Sequence, residues 1–159
     1  MSRRFGFKFS ENMYGTYTPT WENGAERRFI FHVDAFSDNL LRTLRDGKVE
    51  TVGHVEAEGL AAHAPLRGFM IIKPLLARVI RYEFQFTGDD GAAYRFAGEK
   101  TIRHLHPFRT WTTLPGSIYD SGDREIAQSM VRFDRREMVP FLRSFKPWLC
   151  SARPQPADA

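Results

Sequence analysis

Alternating hydrophobic and polar residues run through most of this chain, which is the pattern of β-strands that bury one face. In the first such segment Phe5, Phe7 and Phe9 are separated by small or polar residues. Turn-forming residues separate one segment from the next. The pattern predicts strands over residues 4–18, 26–35, 49–60, 64–75, 108–114 and 125–133, with a hairpin of two further strands over 78–103.

The hairpin over residues 78–103 is the most sharply specified element. A two-residue loop would set aromatic residues opposite charged ones, because a slip of one residue turns every side chain to the other face. A three-residue loop over 89–91, with Gly91 in the left-handed conformation, sets aromatic residues opposite aromatic residues again. The predicted register pairs Phe86 with Tyr94, Phe84 with Phe96, Tyr82 with Gly98, Ile80 with Lys100, and Arg81 with Glu99.

A short helix is predicted over 38–46, between the second and third strands. Ser37 is its candidate N-cap and Gly47 its C-terminal stop. Its apolar stripe consists of Leu40, Leu41 and Leu44. A helix here lies near one mouth of a barrel, where the leucines either pack as ordinary core or form a plug or movable lid.

A second helix is predicted near the C-terminus. Asp134 and Glu137 have the spacing of a capping box, with Phe133 and Met138 as its hydrophobic staple. Pro140 conflicts with a helix that starts there, because a proline inside a helix removes a hydrogen bond. The sequence therefore predicts either a kink at Pro140 or a helix that begins later than the box.

Eight strands with so many inward rings predict an all-β domain, an antiparallel barrel of about eight strands over residues 1–150. Closure removes the exposed strand edges. A half-open sheet wrapped on the C-terminal helix is the alternative. An eight-stranded barrel is either filled by side chains or holds one small ligand. Residues 151–159 are predicted to form a disordered tail.

Composition adds one feature to this picture, the aromatic content. The 159 residues include 14 Phe, 5 Tyr and 3 Trp, which either fill a large core or line a pocket. Together with charges of both signs, they exclude a disordered chain. The net charge is +4. The arginines stand in separate pairs without a nucleic-acid-binding motif, which favours a solvated surface over nucleic-acid binding.

The chain is predicted to be cytoplasmic and to span no membrane. No segment is long and apolar enough for a membrane-spanning helix or a secretory signal. The single cysteine, Cys150, excludes an internal disulfide and a metal site built from a cysteine cluster. Low cysteine usage is typical of a reducing compartment.

Glu11 and Lys100 are the most informative charged pair. Glu11 shares strand parity with Phe9, and Lys100 shares it with Phe96, so regular strands turn both charges inward. A buried charge is costly unless it is paired. We therefore expect the two charges to meet inside the barrel or to contact a ligand's polar group. The alternative is a bulge near a glycine that turns one of them outward.

Two other candidate groups carry weaker signals. His104 and His106 lie on one face of a strand, a spacing that suits a metal ion. Their third ligand would be His32, His54, His63 or a carboxylate. None is defined, so the interpretation of His104 and His106 as surface or loop histidines before Pro107 is favoured, and no metal site is assigned. Ser117 lacks the second glycine of a nucleophile elbow and is interpreted as a turn residue.

Three segments carry a family resemblance: residues 9–15 (FSENMYG), 81–86 (RYEFQF) and 94–100 (YRFAGEK). They resemble the small domain that accompanies cholesterol-oxidase-like enzymes of the glucose-methanol-choline oxidoreductase family, found in bacteria. The resemblance implies a calycin-like, lipocalin-like barrel associated with sterol or lipid metabolism, with an oxidoreductase as a possible partner. Its flavin chemistry does not carry over, because no G-x-G-x-x-G motif follows a strand here. No cofactor is predicted.

Three functional hypotheses follow from the sequence. The first is a module that binds an apolar, lipid- or sterol-like small molecule inside the barrel. The second is a non-flavin isomerase or hydrolase that uses the inward carboxylate as a base. The third is a ligand-free structural partner of an oxidoreductase. No catalytic residue is assigned. The candidate ligand-binding residues are Glu11, Met13, Tyr82, Phe84, Phe96, Lys100 and Trp111.

Overall fold

The computed structural model describes residues 5–73, 79–101, 112–144 and 146–149. Within those residues the chain forms antiparallel strands. They are β1 (Phe5–Pro19), β2 (Arg27–Ser37), β3 (Lys48–Ala57), β4 (Ala61–Lys73), β5 (Val79–Thr87), β6 (Ala93–Thr101), β7 (Thr113–Tyr119), β8 (Glu125–Phe133) and β9 (Lys146–Leu149). The helices are α1 (Leu40–Asp46) and α2 (Met138–Ser144), with a 3-10 turn at Arg135–Glu137.

Strands β1 to β8 close into a barrel. Each strand pairs with the next along the chain, and β1 pairs with β2 on one edge and β8 on the other. β1 is long enough to pair with β9 as well, beyond the point where β8 leaves it. The predicted eight-stranded antiparallel barrel is confirmed, and the half-open sheet is excluded because both edges of β1 are paired.

The core lies inside the barrel and follows the period of two. In β5, Ile80, Tyr82, Phe84 and Phe86 are buried while Arg81 and Gln85 are exposed. Other buried rings are Phe9, Tyr17, Phe29, Phe31 and Phe96. Full burial of a phenylalanine side chain stabilises the fold by about 1.5–3 kcal/mol. Within the described residues, ten of the aromatic side chains counted in the sequence are therefore interior.

The β5–β6 hairpin has the predicted register. Its strands pair Phe86 with Tyr94, Phe84 with Phe96, Tyr82 with Gly98, Ile80 with Lys100 and Arg81 with Glu99. Gly91 adopts a left-handed conformation with φ of 80°. Its N–H donates to the Gly88 carbonyl oxygen at 2.9 Å, and the Gly88 N–H donates to the Ala92 carbonyl oxygen. These bonds close the predicted three-residue loop.

Helix α1 begins later than its sequence suggests. Its N-cap is Asn39, whose side chain accepts a hydrogen bond from the Arg42 N–H. The prediction of Ser37 as the cap is wrong because Ser37 still pairs with Phe7 as the last residue of β2. The predicted stop is confirmed, since Gly47 has a φ of 72° and donates its N–H to the Thr43 carbonyl oxygen.

The C-terminal helix follows the later-start alternative. The Asp134 side chain accepts from the Arg136 N–H at 2.8 Å. Glu137 does not return the bond, because its carboxylate accepts from Asn12 and Tyr14 of β1 instead. α2 begins only at Met138, so Pro140 lies in its first turn, where a missing N–H costs little. No helix in the described part of the chain is long and apolar enough to cross a membrane.

Strand β7 lies further along the chain than predicted. Ser117 belongs to this strand and pairs with Gln128 of β8, so its interpretation as a turn residue is wrong. The turn follows at 120–124, where the Asp120 carboxylate accepts the backbone N–H groups of Gly122 and Arg124. The residues Trp111, His104, His106 and Cys150 and the tail 151–159 lie outside the described residues.

Candidate functional site

The barrel interior is divided into two chemically different ends. The aromatic end is formed by Tyr17, Phe29, Phe31, Phe84, Phe86 and Phe96. The charged end is formed by Glu11, Met13, Tyr82 and Lys100. Helix α1 connects β2 to β3 on the side of the charged end.

Side chains fill the aromatic end. The ring centroid of Phe84 lies 4.9 Å from that of Phe96 and 5.0 Å from that of Phe31. Gly98 and Gly116 pair across β6 and β7, and a Cβ on either would come within 2.8 Å of the Phe96 ring. The rings therefore occupy the space that two inward side chains would otherwise take, and they leave this end packed.

A buried ion pair lies at the charged end. The Lys100 Nζ donates to Glu11 Oε1 at 3.0 Å and to the Tyr82 hydroxyl at 2.9 Å. The Tyr82 hydroxyl donates in turn to Glu11 Oε2 at 2.7 Å. Lys100 and Tyr82 are 2% exposed and Glu11 is 6% exposed. The prediction that both charges point inward and meet is confirmed, and the outward bulge is excluded.

Barrel closure brings these three residues together. Tyr82 and Lys100 are diagonal neighbours on β5 and β6, since Tyr82 pairs with Gly98 and Ile80 pairs with Lys100. Glu11 comes from β1, which is three strands from β6 in one direction around the closed barrel and five in the other, and it reaches Tyr82 and Lys100 across the interior. Gly98 has no side chain between Phe96 and Lys100, so it separates the two ends on β6.

Burial determines the protonation of Tyr82. Desolvation raises the pKa of Tyr82 well above its ordinary value, and the adjacent Glu11 carboxylate raises it further. The neutral phenol both donates and accepts, which suits its place between a carboxylate and an ammonium group. Among the described residues, the further hydrogen-bond partner of the Lys100 Nζ is the Met13 Sδ, 3.9 Å away.

The structure brings four of the predicted site residues into one group: Glu11, Met13, Tyr82 and Lys100. Phe84 and Phe96 lie in the aromatic end, packed against other rings. Trp111 is outside the described residues. The sequence presented Tyr82 only as an aromatic wall, and its role as the third member of the ion pair was missed. Its inward parity beside Lys100 was the available signal.

A second group of titratable side chains lies on the outer face of β2, β3 and β4. His32 pairs with His54 across β2 and β3, with ring centroids 5.3 Å apart. The His54 ring lies 4.4 Å from that of His63. The pKa of His54 is lowered by partial burial and by the neighbouring His63 and His32. The sequence named these histidines only as possible partners of His104 and His106.

Comparison with known proteins identifies no relative of this chain. No family model, no curated protein and no solved structure matches it. The resemblance to the domain that accompanies cholesterol-oxidase-like enzymes therefore stays a prediction.

Proposed function

We propose that the barrel binds a small, largely apolar molecule, lipid- or sterol-like, at its charged end. Glu11, Tyr82 and Lys100 hold the ligand's polar group, and its apolar body takes the space that the Met13 side chain leaves when it moves aside. The observation that carries this proposal is the buried Glu11–Tyr82–Lys100 cluster inside a closed barrel. The sequence resemblance to a domain of sterol and lipid metabolism supports the ligand class.

The energetics of the cluster favour a functional role. Desolvating two charges costs several kcal/mol per ion, and replacing a buried ion pair by apolar residues is often neutral or stabilising. By this balance the Glu11–Lys100 pair adds little net stability to the fold. A ligand with a hydroxyl or carboxyl group would hydrogen-bond to the pair, which apolar residues at the same positions could not do.

The cluster has hydrogen-bonding capacity to spare. Glu11 accepts one bond on each carboxylate oxygen, and a carboxylate offers about four acceptor positions. Within the part of the chain that the structure describes, the remaining Lys100 proton faces a thioether sulfur, which is a weak acceptor. A polar ligand atom at the position of the Met13 Sδ would give that proton a stronger partner.

Met13 is the side chain that a ligand would displace. It is fully buried between the cluster and the aromatic end. Methionine is unbranched and flexible, so it fills irregular space and repacks at low cost. No ring of the aromatic end can be displaced as easily, because these rings are in mutual contact. Binding therefore takes place at the charged end, with Met13 moving aside.

Two measurements test this function. Native mass spectrometry of the purified protein would detect a co-purified apolar molecule. Titration with cis-parinaric acid, a fluorescent fatty acid, would measure binding in the wild type and in the Glu11→Gln/Lys100→Met variant. We expect saturable binding to the wild type, and affinity about tenfold or more lower in the variant, equivalent to about 1.4 kcal/mol.

The matched control is Lys48→Met/Glu50→Gln, which removes the same two charges from exposed positions on β3. It should bind cis-parinaric acid as the wild type does. Equal binding by the wild type and the Glu11→Gln/Lys100→Met variant would overturn the proposal. So would a wild type that has a clean mass and no saturable probe binding, which would favour the ligand-free structural protein.

A further inference from the structure

The outer face of β3 and β4 gathers three metal-ligating side chains. His54 and Glu56 point outward from β3, and His63 points outward from the start of β4. The ligand atoms of all three lie within 4.8 Å of one another. The His63 Nδ1 is already 3.4 Å from the Glu56 Oε1. Tetrahedral zinc with bonds of 2.0–2.1 Å needs its ligand atoms about 3.4 Å apart, so small side-chain rotations complete the geometry.

The ring nitrogens of His54 are available. Within the described residues neither of them has a hydrogen-bond partner, although His54 is partly buried between two other imidazoles. His32 differs, because its Nδ1 lies 2.5 Å from the Asn12 Oδ1 and its Nε2 lies 3.3 Å from the Asp34 Oδ1. His32 is thus held by oxygen atoms and borders the site, while His54 is free to bind a metal ion.

The donor set defines the class of ion. Two imidazoles and one carboxylate are the three protein ligands found in one class of zinc site, in which water occupies the fourth position. Imidazole nitrogen favours zinc and its neighbours over magnesium or calcium. His54 and His63 line a surface cavity of about 950 Å³, which leaves room for water or another small ligand on the metal.

The charges around the group are mixed. Asp34 and Glu56 bring negative charge, and Arg67 borders the same cavity. Arg28 approaches the Glu56 Oε2 at 3.9 Å, which leaves the Glu56 Oε1 to His63 and the metal. We propose that His54, Glu56 and His63 form a binding site for Zn²⁺ with one coordination position open to water. This site is separate from the barrel interior and does not depend on the proposed ligand.

The test is calorimetric titration of metal-free, tag-free protein with zinc chloride. We expect one saturable site in the wild type and an affinity about tenfold or more lower in His54→Ala, His63→Ala and Glu56→Gln. Both histidines lie on the outer face of the barrel, outside its core, so these variants should fold as the wild type does, which thermal unfolding would check. Titration with Co²⁺ gives a second readout, the visible absorption of a four-coordinate nitrogen and oxygen site.

Two control variants decide between sites. Glu50→Gln removes an exposed carboxylate from the same strand and should leave the zinc affinity unchanged. The variant His104→Gln/His106→Gln should also bind zinc as the wild type does. The proposal is overturned if the wild type shows no saturable binding. It is equally overturned if His54→Ala and His63→Ala bind normally, or if binding is lost with His104 and His106.

Discussion

The two ends of the barrel interior use the same strands for different chemistry. β5 contributes Tyr82 to the charged end and Phe84, two residues along, to the aromatic end. β6 does the same with Lys100 and Phe96, which are separated by Gly98. At the aromatic end each ring contacts other rings, whereas at the charged end three polar groups hydrogen-bond to one another in the same buried interior.

This difference separates stability from function. Rings bury about 150–250 Å² each and gain free energy from burial alone. A buried ion pair roughly balances its desolvation cost against its mutual attraction, but becomes costly when one partner is lost. The aromatic end therefore stabilises the fold, whereas the charged end destabilises it when either Glu11 or Lys100 loses its partner. Four predictions test this division.

The largest expected effect is at the aromatic end. Phe31→Ala removes a ring that lies 5.0 Å from the Phe84 centroid and 5.5 Å from that of Phe96. We expect the free energy of unfolding to fall by about 3–5 kcal/mol, because the change leaves a cavity in a packed layer. Urea denaturation measures it. Trp21→Ala, at an exposed aromatic residue, is the control and should change stability by about 0.5 kcal/mol or less.

The charged end should show strong coupling between its two charges. Lys100→Met leaves the Glu11 carboxylate buried without its cation, and we expect a loss of about 3–5 kcal/mol in unfolding free energy. Glu11→Gln/Lys100→Met removes both charges and should lose much less. Denaturation of Glu11→Gln, Lys100→Met and the double variant measures the coupling between the two charges as a double-mutant cycle. Additive losses would show that the two charges do not interact.

Gly98 tests the boundary between the ends. A Cβ at this position would lie 2.8 Å from the Phe96 ring and 3.0 Å from the Leu114 side chain. We expect Gly98→Ala to cost about 1–3 kcal/mol through overpacking, measured by thermal unfolding. Gly122→Ala, in the exposed β7–β8 turn, serves as the comparison. If Gly98→Ala were neutral, the Phe96 ring would have room to move.

The smallest effect concerns Tyr82 and depends on pH. Tyr82→Phe removes a hydroxyl bonded to Glu11 and Lys100, and should cost about 1–2 kcal/mol near neutral pH. Because the pKa of Tyr82 is raised in the folded state, the folded protein holds this proton above pH 10 while the unfolded chain releases it. The hydroxyl's contribution to stability is therefore lost as pH rises above 10.

Denaturation of the wild type and Tyr82→Phe on both sides of pH 10 measures that change. The stability difference between the two proteins should narrow at the higher pH. A difference that widened instead would mean that Tyr82 ionises more readily in the folded protein than in the unfolded chain. The other tyrosines are common to both proteins and cancel.

Local pattern predicted much of the fold because strand alternation and turn chemistry are local properties. The hairpin register followed from Gly91 and from the facing rings of Phe84 and Phe96. Predictions at element ends were less accurate. Ser37 and Ser117 were misassigned because pairing with β1 and β8 extends β2 and β7 past the local turn and cap signals. Glu137 was assigned to a local cap, but β1 engages it instead.

The candidate sites divide in the same way. The sequence by itself determined that Glu11 and Lys100 face inward, because parity within a regular strand decides which face a side chain takes. Only the tertiary structure decided that they meet each other and Tyr82, since β1, β5 and β6 approach across the interior through closure of the whole barrel. The association of His54 and Glu56 with His63 likewise depends on the pairing of β3 with β4. The alternation within one strand does not specify that pairing.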